Sequence, residues 1–151
     1  MYIHAPVLLS LLDKVPDRRL SIIGHLARNW KPIRNEKSKY YISNDEFKGK
    51  VFPNFMTGPA YVLTNDIIKP IYEAALNETY FKLEDVFFTG MVPKVLKLGI
   101  QRVHYPHFTN IRPRKWNKTC YAAKLATMHE IKLYEMFDIW VRLSDGVAKC
   151  L

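Results

Sequence analysis

Leu83-Glu84-Asp85-Val86-Phe87-Phe88 is the stretch from which the rest of the chain is read. Two adjacent carboxylates stand between Leu83 and an apolar run. Val86, Phe87, Met91, Val92, Val95 and Leu96 then recur at the spacing of a helix with a broad buried face. Gly99, after Lys94 and Lys97, is a stop signal with cations in the last turn. Asp85 falls at the start of this helix, where the positive end of the helix dipole favours an ionised carboxylate. On these residues alone two roles stand open for it: an ordinary N-terminal cap, or a base held in a cleft by apolar neighbours.

Upstream lies Phe52-Pro53-Asn54-Phe55-Met56-Thr57-Gly58-Pro59-Ala60-Tyr61-Val62-Leu63-Thr64. Gly58 permits positive φ and Pro59 fixes its own φ, so Thr57-Gly58-Pro59 predicts a sharp backbone feature. Tyr61 to Thr64 reads as strand. Thr64 or Asn65 then caps a helix through Ile67, Ile68, Ile71, Tyr72, Ala75 and Leu76, with Pro70 in its first turn or kinking it. Nearer the start, Ala5 to Val15 predicts an amphipathic helix with Pro6 in its first turn, and Pro16 to Arg19 a turn. Leu20 to Ala27 predicts a buried strand. The segments 35–39 and 44–50 are polar connections, and Lys39 to Ile42 reads as a short edge strand with an outward lysine.

Further on, Gln101 to Tyr105 predicts a short strand. His104 and His107 read as hydrogen-bonded or surface histidines rather than a metal clip. Cys120 to His129 is ambiguous, because its alanines favour helix while its length and the element after it favour strand. Glu130 to Leu143 predicts an amphipathic helix with Leu133, Met136, Phe137, Trp140, Val141 and Leu143 on one face, ended by Ser144-Asp145-Gly146.

The 151 residues suffice for one respectable core. No uninterrupted apolar run reaches the roughly 18 residues a membrane span needs, and Met1-Tyr2-Ile3-His4 lacks the basic start of a signal peptide. The formal charge of +9 is scattered along the chain. A nucleic-acid binder would concentrate its cations or interleave them with stacking aromatics, which only 110–118 does, weakly; no nucleic-acid partner is expected. Positive surface also suits a diphosphate. Asn77-Glu78-Thr79 and Asn117-Lys118-Thr119 are N-glycosylation sequons and lean towards the secretory pathway. There Cys120 and Cys150 would form a disulfide; otherwise they are two buried thiols.

The two motifs, in this order and spacing, resemble glycosyltransferase family 31, the β-1,3-galactosyl- and N-acetylglucosaminyltransferases. Members read Tyr-Pro-x-Tyr-x-x-Gly-x-Gly-Tyr-Val-Leu-Ser and then Glu-Asp-Val. The resemblance runs from Tyr2 to about Cys150. It implies an α/β fold of the GT-A type, with residues 1–151 as the C-terminal portion of a single, N-terminally truncated domain. It implies an inverting hexosyltransferase, with a UDP-sugar donor and a glycan or glycoprotein acceptor. Asp85 would be the base and Glu84 would orient the acceptor or hold the loop. Lys39, Tyr40, Thr57, Gly58 and Tyr61 would line the substrate. Gly58 matches the family pattern, whereas Ala60 replaces a glycine and points to an altered acceptor fit.

The family also implies Mn²⁺, held by an aspartate motif and a histidine; His129 stands at the histidine's position and the aspartate motif is absent. The chain reads as starting just after that motif, so a fragment, a mis-started product and a degenerate homologue are all open, and turnover by this chain alone is not expected. The resemblance tips Cys120 to His129 towards strand. It places the full-length form on the lumenal side of the Golgi membrane, held by an anchor outside this chain. The alternatives are a non-catalytic homologue acting as partner or chaperone, and a basic polyanion-binding module.

Overall fold

A computed structural model describes residues 1–14, 19–145 and 150. In chain order its elements are β1 (Tyr2–Ile3), α1 (Ala5–Asp13), β2 (Ser21–Ala27), β3 (Phe55–Leu63), α2 (Asn65–Ala75), α3 (Glu84–Val86), a π-helical turn (Phe87–Met91), α4 (Val92–Leu96), β4 (Gln101–His104), α5 (Thr119–Ala122), β5 (Thr127–Met128) and α6 (Leu133–Ser144). They fall into two compact units. A mid-chain unit comprises Arg18–His104, and a terminal unit combines Met1–Asp17 with Tyr105–Leu151. Helices and sheets together make a mixed α/β architecture, as the sequence implied.

In the mid-chain unit β2 is the central strand of three, antiparallel to β3 and parallel to β4. Neighbours on both edges and apolar cover explain its continuous Ser-Ile-Ile-Gly run, which is buried throughout. Ile22, Phe55, Met56, Ile67, Ile71, Val86, Phe87 and Val92 share one apolar cluster. Thr64 is the N-cap residue of α2. Its Oγ1 accepts the Ser21 N–H at 3.0 Å, and Asp66 Oδ2 accepts the Leu20 N–H at 2.9 Å, which ties the start of the helix to the start of β2. Arg34 donates to the carbonyls of Ile42, Ser43, Phe47 and Gly49 and so organises the long loop before β3.

Several expectations need correction here. Thr57-Gly58-Pro59 is not a turn, because β3 runs straight through it. Gly99, with φ +68, is the only glycine at positive φ among the described residues. The sharp feature is instead a register irregularity within β3 at this same stretch. Gly24 pairs with Tyr61 and Leu26 with Met56, so Thr57 to Ala60 stand opposite His25 alone. Pro59 cannot donate to a ladder, and it sits where the ladder is open. Lys39 to Ile42 forms a turn with an isolated bridge between Ile33 and Tyr41, not an edge strand. In α2 only Ile67 and Ile71 are buried, while Ile68, Tyr72 and Leu76 are exposed; Pro70 lies inside the helix, beyond its first turn. The helix after Glu84 is interrupted by the π turn and stops at Leu96, with Lys97 at φ 52.

In the terminal unit β1 pairs antiparallel with β5, Tyr2 opposite Met128. Tyr2, Ala122, Leu125, Met128, Ile131 and Ile139 form its apolar cluster. The helix α1 starts at Ala5 with Pro6 in its first turn, as expected, but buries no side chain fully. Its expected end at Val15 and most of the Pro16 to Arg19 turn lie outside the described residues. Cys120 to His129 is not one strand. Alanine-rich helical turns occupy its first half and strand only Thr127–Met128, so helix propensity prevails.

The last helix, α6, begins at Leu133 because Glu130 sits at φ 54, which an α-helix cannot continue. It turns Glu135 and Ile139 inward, whereas the expected inner residues Leu133, Phe137, Trp140 and Val141 are exposed. The expected stop at Ser144-Asp145 holds; Gly146 lies outside the described residues. Cys120 and Cys150 are joined in a disulfide, Cα to Cα 5.0 Å, across a sequence separation of 30. Closing a loop of that length removes unfolded-state entropy equivalent to roughly 3.5 kcal/mol. No helix among the described residues is long and apolar enough to cross a membrane.

Candidate functional site

The site is built where α3 meets the irregular part of β3. Asp85 Oδ2 accepts the Gly58 N–H at 2.9 Å, and its Oδ1 accepts the Val86 N–H at 2.9 Å. Both oxygens are therefore oriented by backbone donors. A Cβ on residue 58 would lie 3.2 Å from Asp85 Oδ2, so a bare backbone is what allows this approach. On the same strand, Tyr61 donates its hydroxyl to Glu84 Oε1. Burial, then the bond to Glu84, pushes the Tyr61 phenol well above its usual range, so it remains a donor at physiological pH. Leu83 and Phe88 pack against the cluster that contains Val86 and Phe87, giving Asp85 its apolar collar.

Four expected site residues, Gly58, Tyr61, Glu84 and Asp85, thus meet through two contacts between one strand and one helix start. Thr57 is on the same strand and buried. Lys39 and Tyr40 lie in the turn at 38–40 rather than on β3, the Lys39 ammonium 4.6 Å from the Tyr40 ring centre. His129 belongs to the terminal unit. Its N–H donates to Thr109 Oγ1 at 3.0 Å, and its Nε2 lies 3.8 Å from Glu130 Oε1.

The structure adds residues that the sequence did not reveal. Thr89 is fully buried; its Oγ1 accepts the Met56 N–H at 2.8 Å and donates to the Asp85 carbonyl, stitching the helix to β3. Pro93 has no N–H to offer the Thr89 carbonyl one turn back. Arg102 on β4 fills that gap, its Nε donating to the Thr89 carbonyl at 2.8 Å and its Nη2 to the Gly90 carbonyl at 3.2 Å. Burial lowers the pKa of the Arg102 guanidinium. Pro93 inside a helical pattern was the available signal for such a gap, but its partner nine residues on carries none.

His104 and His25 stack edge to face at 5.1 Å. His104 Nδ1 accepts the Leu26 N–H at 3.1 Å, which requires a ring without a proton on that nitrogen. Burial, aided by the nearby His25 and Arg28 charges, lowers its pKa and favours the neutral form. His107 Nδ1 lies 2.6 Å from the Lys124 carbonyl. Both rings are hydrogen-bonded histidines, as their spacing suggested.

The other charged cluster lies in the terminal unit. Arg112 grips Glu135 with both Nη atoms, at 2.9 and 2.7 Å, and reaches the Glu130 carbonyl at 2.6 Å. Its guanidinium also lies 4.8 Å from the Trp116 ring. The Arg112 hydrogen bonds, set against burial, hold Glu135 down to a pKa of about 2.

The galactosyltransferase family model matches residues 1–106, which include the whole mid-chain unit and the Glu84-Asp85 dyad. The chain belongs to the galactosyltransferase family. Among its curated relatives, N-acetyllactosaminide beta-1,3-N-acetylglucosaminyltransferase 4 of Mus musculus is 26% identical over 99% of the chain and 43% of its own length. Lactosylceramide 1,3-N-acetyl-beta-D-glucosaminyltransferase of Rattus norvegicus is 30% identical over 99% of the chain and 39% of its own length. Beta-1,3-galactosyltransferase 5 of Homo sapiens is 30% identical over 97% of the chain and 46% of its own length. The chain therefore spans less than half the length of each. These names are those of β-1,3 galactosyl- and N-acetylglucosaminyltransferases, which supports glycosyl transfer to a glycan as the family chemistry. Within this family setting, Gly58 and Tyr61 acquire a common purpose: each holds one carboxylate of the dyad.

A divalent cation fits the described residues only in part. No group of three or more His, Cys, Asp or Glu side chains gathers among them. His129 and Glu130 offer two donors, fewer than a cation held against water requires.

Proposed function

We propose that this galactosyltransferase-family chain carries the reacting carboxylate of an inverting transfer of galactose or N-acetylglucosamine from a UDP-sugar to a glycan hydroxyl. The observation that carries the reading is the Gly58 N–H to Asp85 Oδ2 bond, which fixes a carboxylate between two motifs of the family. Asp85 would take the acceptor proton as the new bond forms on the face opposite the leaving UDP. Glu84, held by the Tyr61 hydroxyl, would position the acceptor. Lys39 with Tyr40, and Thr57 with Gly58, would contact the substrates. Mn²⁺, when bound, would neutralise charge on the departing diphosphate, and His129 would supply one of its donors.

Residues 1–151 would then be the C-terminal part of one GT-A-like domain that works in the Golgi lumen. On this reading the 151-residue chain by itself does not release UDP from a UDP-sugar. In an active protein containing these residues, Asp85→Asn keeps shape but accepts no proton. Turnover should fall by about 10²–10⁴, with UDP affinity and Tm nearly unchanged. Loss of activity only in proportion to loss of stability would place the base elsewhere.

A further inference from the structure

The site leaves two sequons unused, and the structure treats them differently. Asn77 sits in an exposed turn just after α2, and Glu78, Thr79 and Tyr80 beyond it are exposed too. Its Nδ2 donates to the Glu73 carbonyl at 2.9 Å. A carboxamide nitrogen has two hydrogens, and N-glycosylation replaces only one. One hydrogen is left after modification to keep the bond to Glu73, which would hold the first sugar at the end of α2. Asn117 is exposed as well, but its backbone and its sequon threonine are tied down. Arg142 Nη1 donates to its carbonyl at 2.6 Å and to the Thr119 hydroxyl at 3.2 Å. Thr119 opens α5, and the next residue, Cys120, is locked to Cys150.

Two further observations converge on Asn77. Ile68, Tyr72 and Leu76, spaced i, i+4 and i+8 on α2, are 48%, 61% and 68% exposed, and Tyr80 is 81% exposed. This apolar stripe ends beside the sequon, and its two tyrosines offer ring faces on which the apolar faces of sugars pack. The Cys120–Cys150 disulfide indicates folding in an oxidising compartment, where N-linked transfer takes place.

We propose that Asn77 is an N-glycan acceptor whose carbohydrate covers the Ile68, Tyr72, Leu76 and Tyr80 stripe, and that Asn117 is a poor acceptor. The donor is an oligosaccharide linked to a polyprenyl pyrophosphate. The bond from Asn77 Nδ2 to the anomeric carbon forms as that carbon's bond to the pyrophosphate oxygen breaks. The pyrophosphate leaves with the electron pair, and Nδ2 gives up one proton.

The test directs the whole chain into the secretory pathway of a eukaryotic cell. Peptide mass spectrometry follows, after removal of N-glycans by a peptide N-glycosidase in heavy-oxygen water. The expected result is labelled aspartate at position 77 in most molecules and at position 117 in a minority. Thr79→Ala should abolish the first signal. Native deglycosylation should then raise binding of an apolar dye several-fold, and the same rise should appear in Asn77→Gln. An unlabelled position 77, or equal labelling at 117, overturns the assignment of the acceptor. Labelling at 77 with dye binding unchanged on deglycosylation overturns the covering role.

Discussion

The mid-chain and terminal units use polar side chains for opposite ends. In the terminal unit the buried carboxylate, Glu135, is consumed by Arg112 and by the Lys132 N–H, and a disulfide backs up a small apolar cluster. In the mid-chain unit a larger cluster suffices for packing, and at its edge Glu84 is held by the Tyr61 hydroxyl and Asp85 by the Gly58 and Val86 N–H groups, with no cation on either among the described residues. A carboxylate saturated by a cation is a structural part. One oriented by a backbone N–H and a phenol keeps lone pairs for chemistry. That difference separates the Glu84-Asp85 pair from Glu135.

The largest effect is expected where the structural carboxylate is stripped of its cation. Arg112→Met leaves Glu135 buried without its partner, and amides of α6 should lose most of their hydrogen-exchange protection. Because the Glu135 pKa is depressed from 4.5 to about 2, its contribution to stability is fully present above pH 4.5 and fades as pH falls towards 2. The wild-type Trp116 indole signal, followed against pH, should report that loss; in Glu135→Gln it should not.

An intermediate effect is expected at the π turn. Arg102→Met leaves the Thr89 carbonyl unpaired and should cost about 1–3 kcal/mol in chemical denaturation. Pro93→Ala in that background supplies the missing N–H and should recover part of it; no recovery would show that Arg102 acts otherwise. The smallest effect on stability belongs to Gly58→Ala. Its Cβ would push Asp85 Oδ2 by a few tenths of an ångström, for about 1 kcal/mol or less, yet it should disturb the site's carboxylate most directly.

The sequence exposed the parts of this molecule that are local. Glu84-Asp85, Gly58 and Tyr61 stand in contiguous motifs, and the core face of β2 follows from an apolar segment with Ile22 and Ile23 at its middle. Long-range pairing was hidden. Arg102 and Thr89 are 13 residues apart, Arg112 and Glu135 are 23 apart, and neither pair leaves a periodic trace. The same blindness explains the corrections. Thr57-Gly58-Pro59 reads as a sharp backbone feature, but that it is an irregularity inside a strand shows only in the pairing, where His25 alone stands opposite Thr57 to Ala60. The inner face of α6 cannot be read from Leu133, Phe137 and Trp140 when an ion pair at Glu135 sets the helix rotation.

The central claim, that the Gly58 amide orients the Asp85 carboxylate, is open to direct measurement by amide NMR of the chain. The Gly58 proton shift should move on acidification as Asp85 gains a proton, and that movement should vanish in Asp85→Asn while the Val62 amide stays unchanged. A Gly58 shift that is flat with pH, or that titrates identically in Asp85→Asn, would contradict the account.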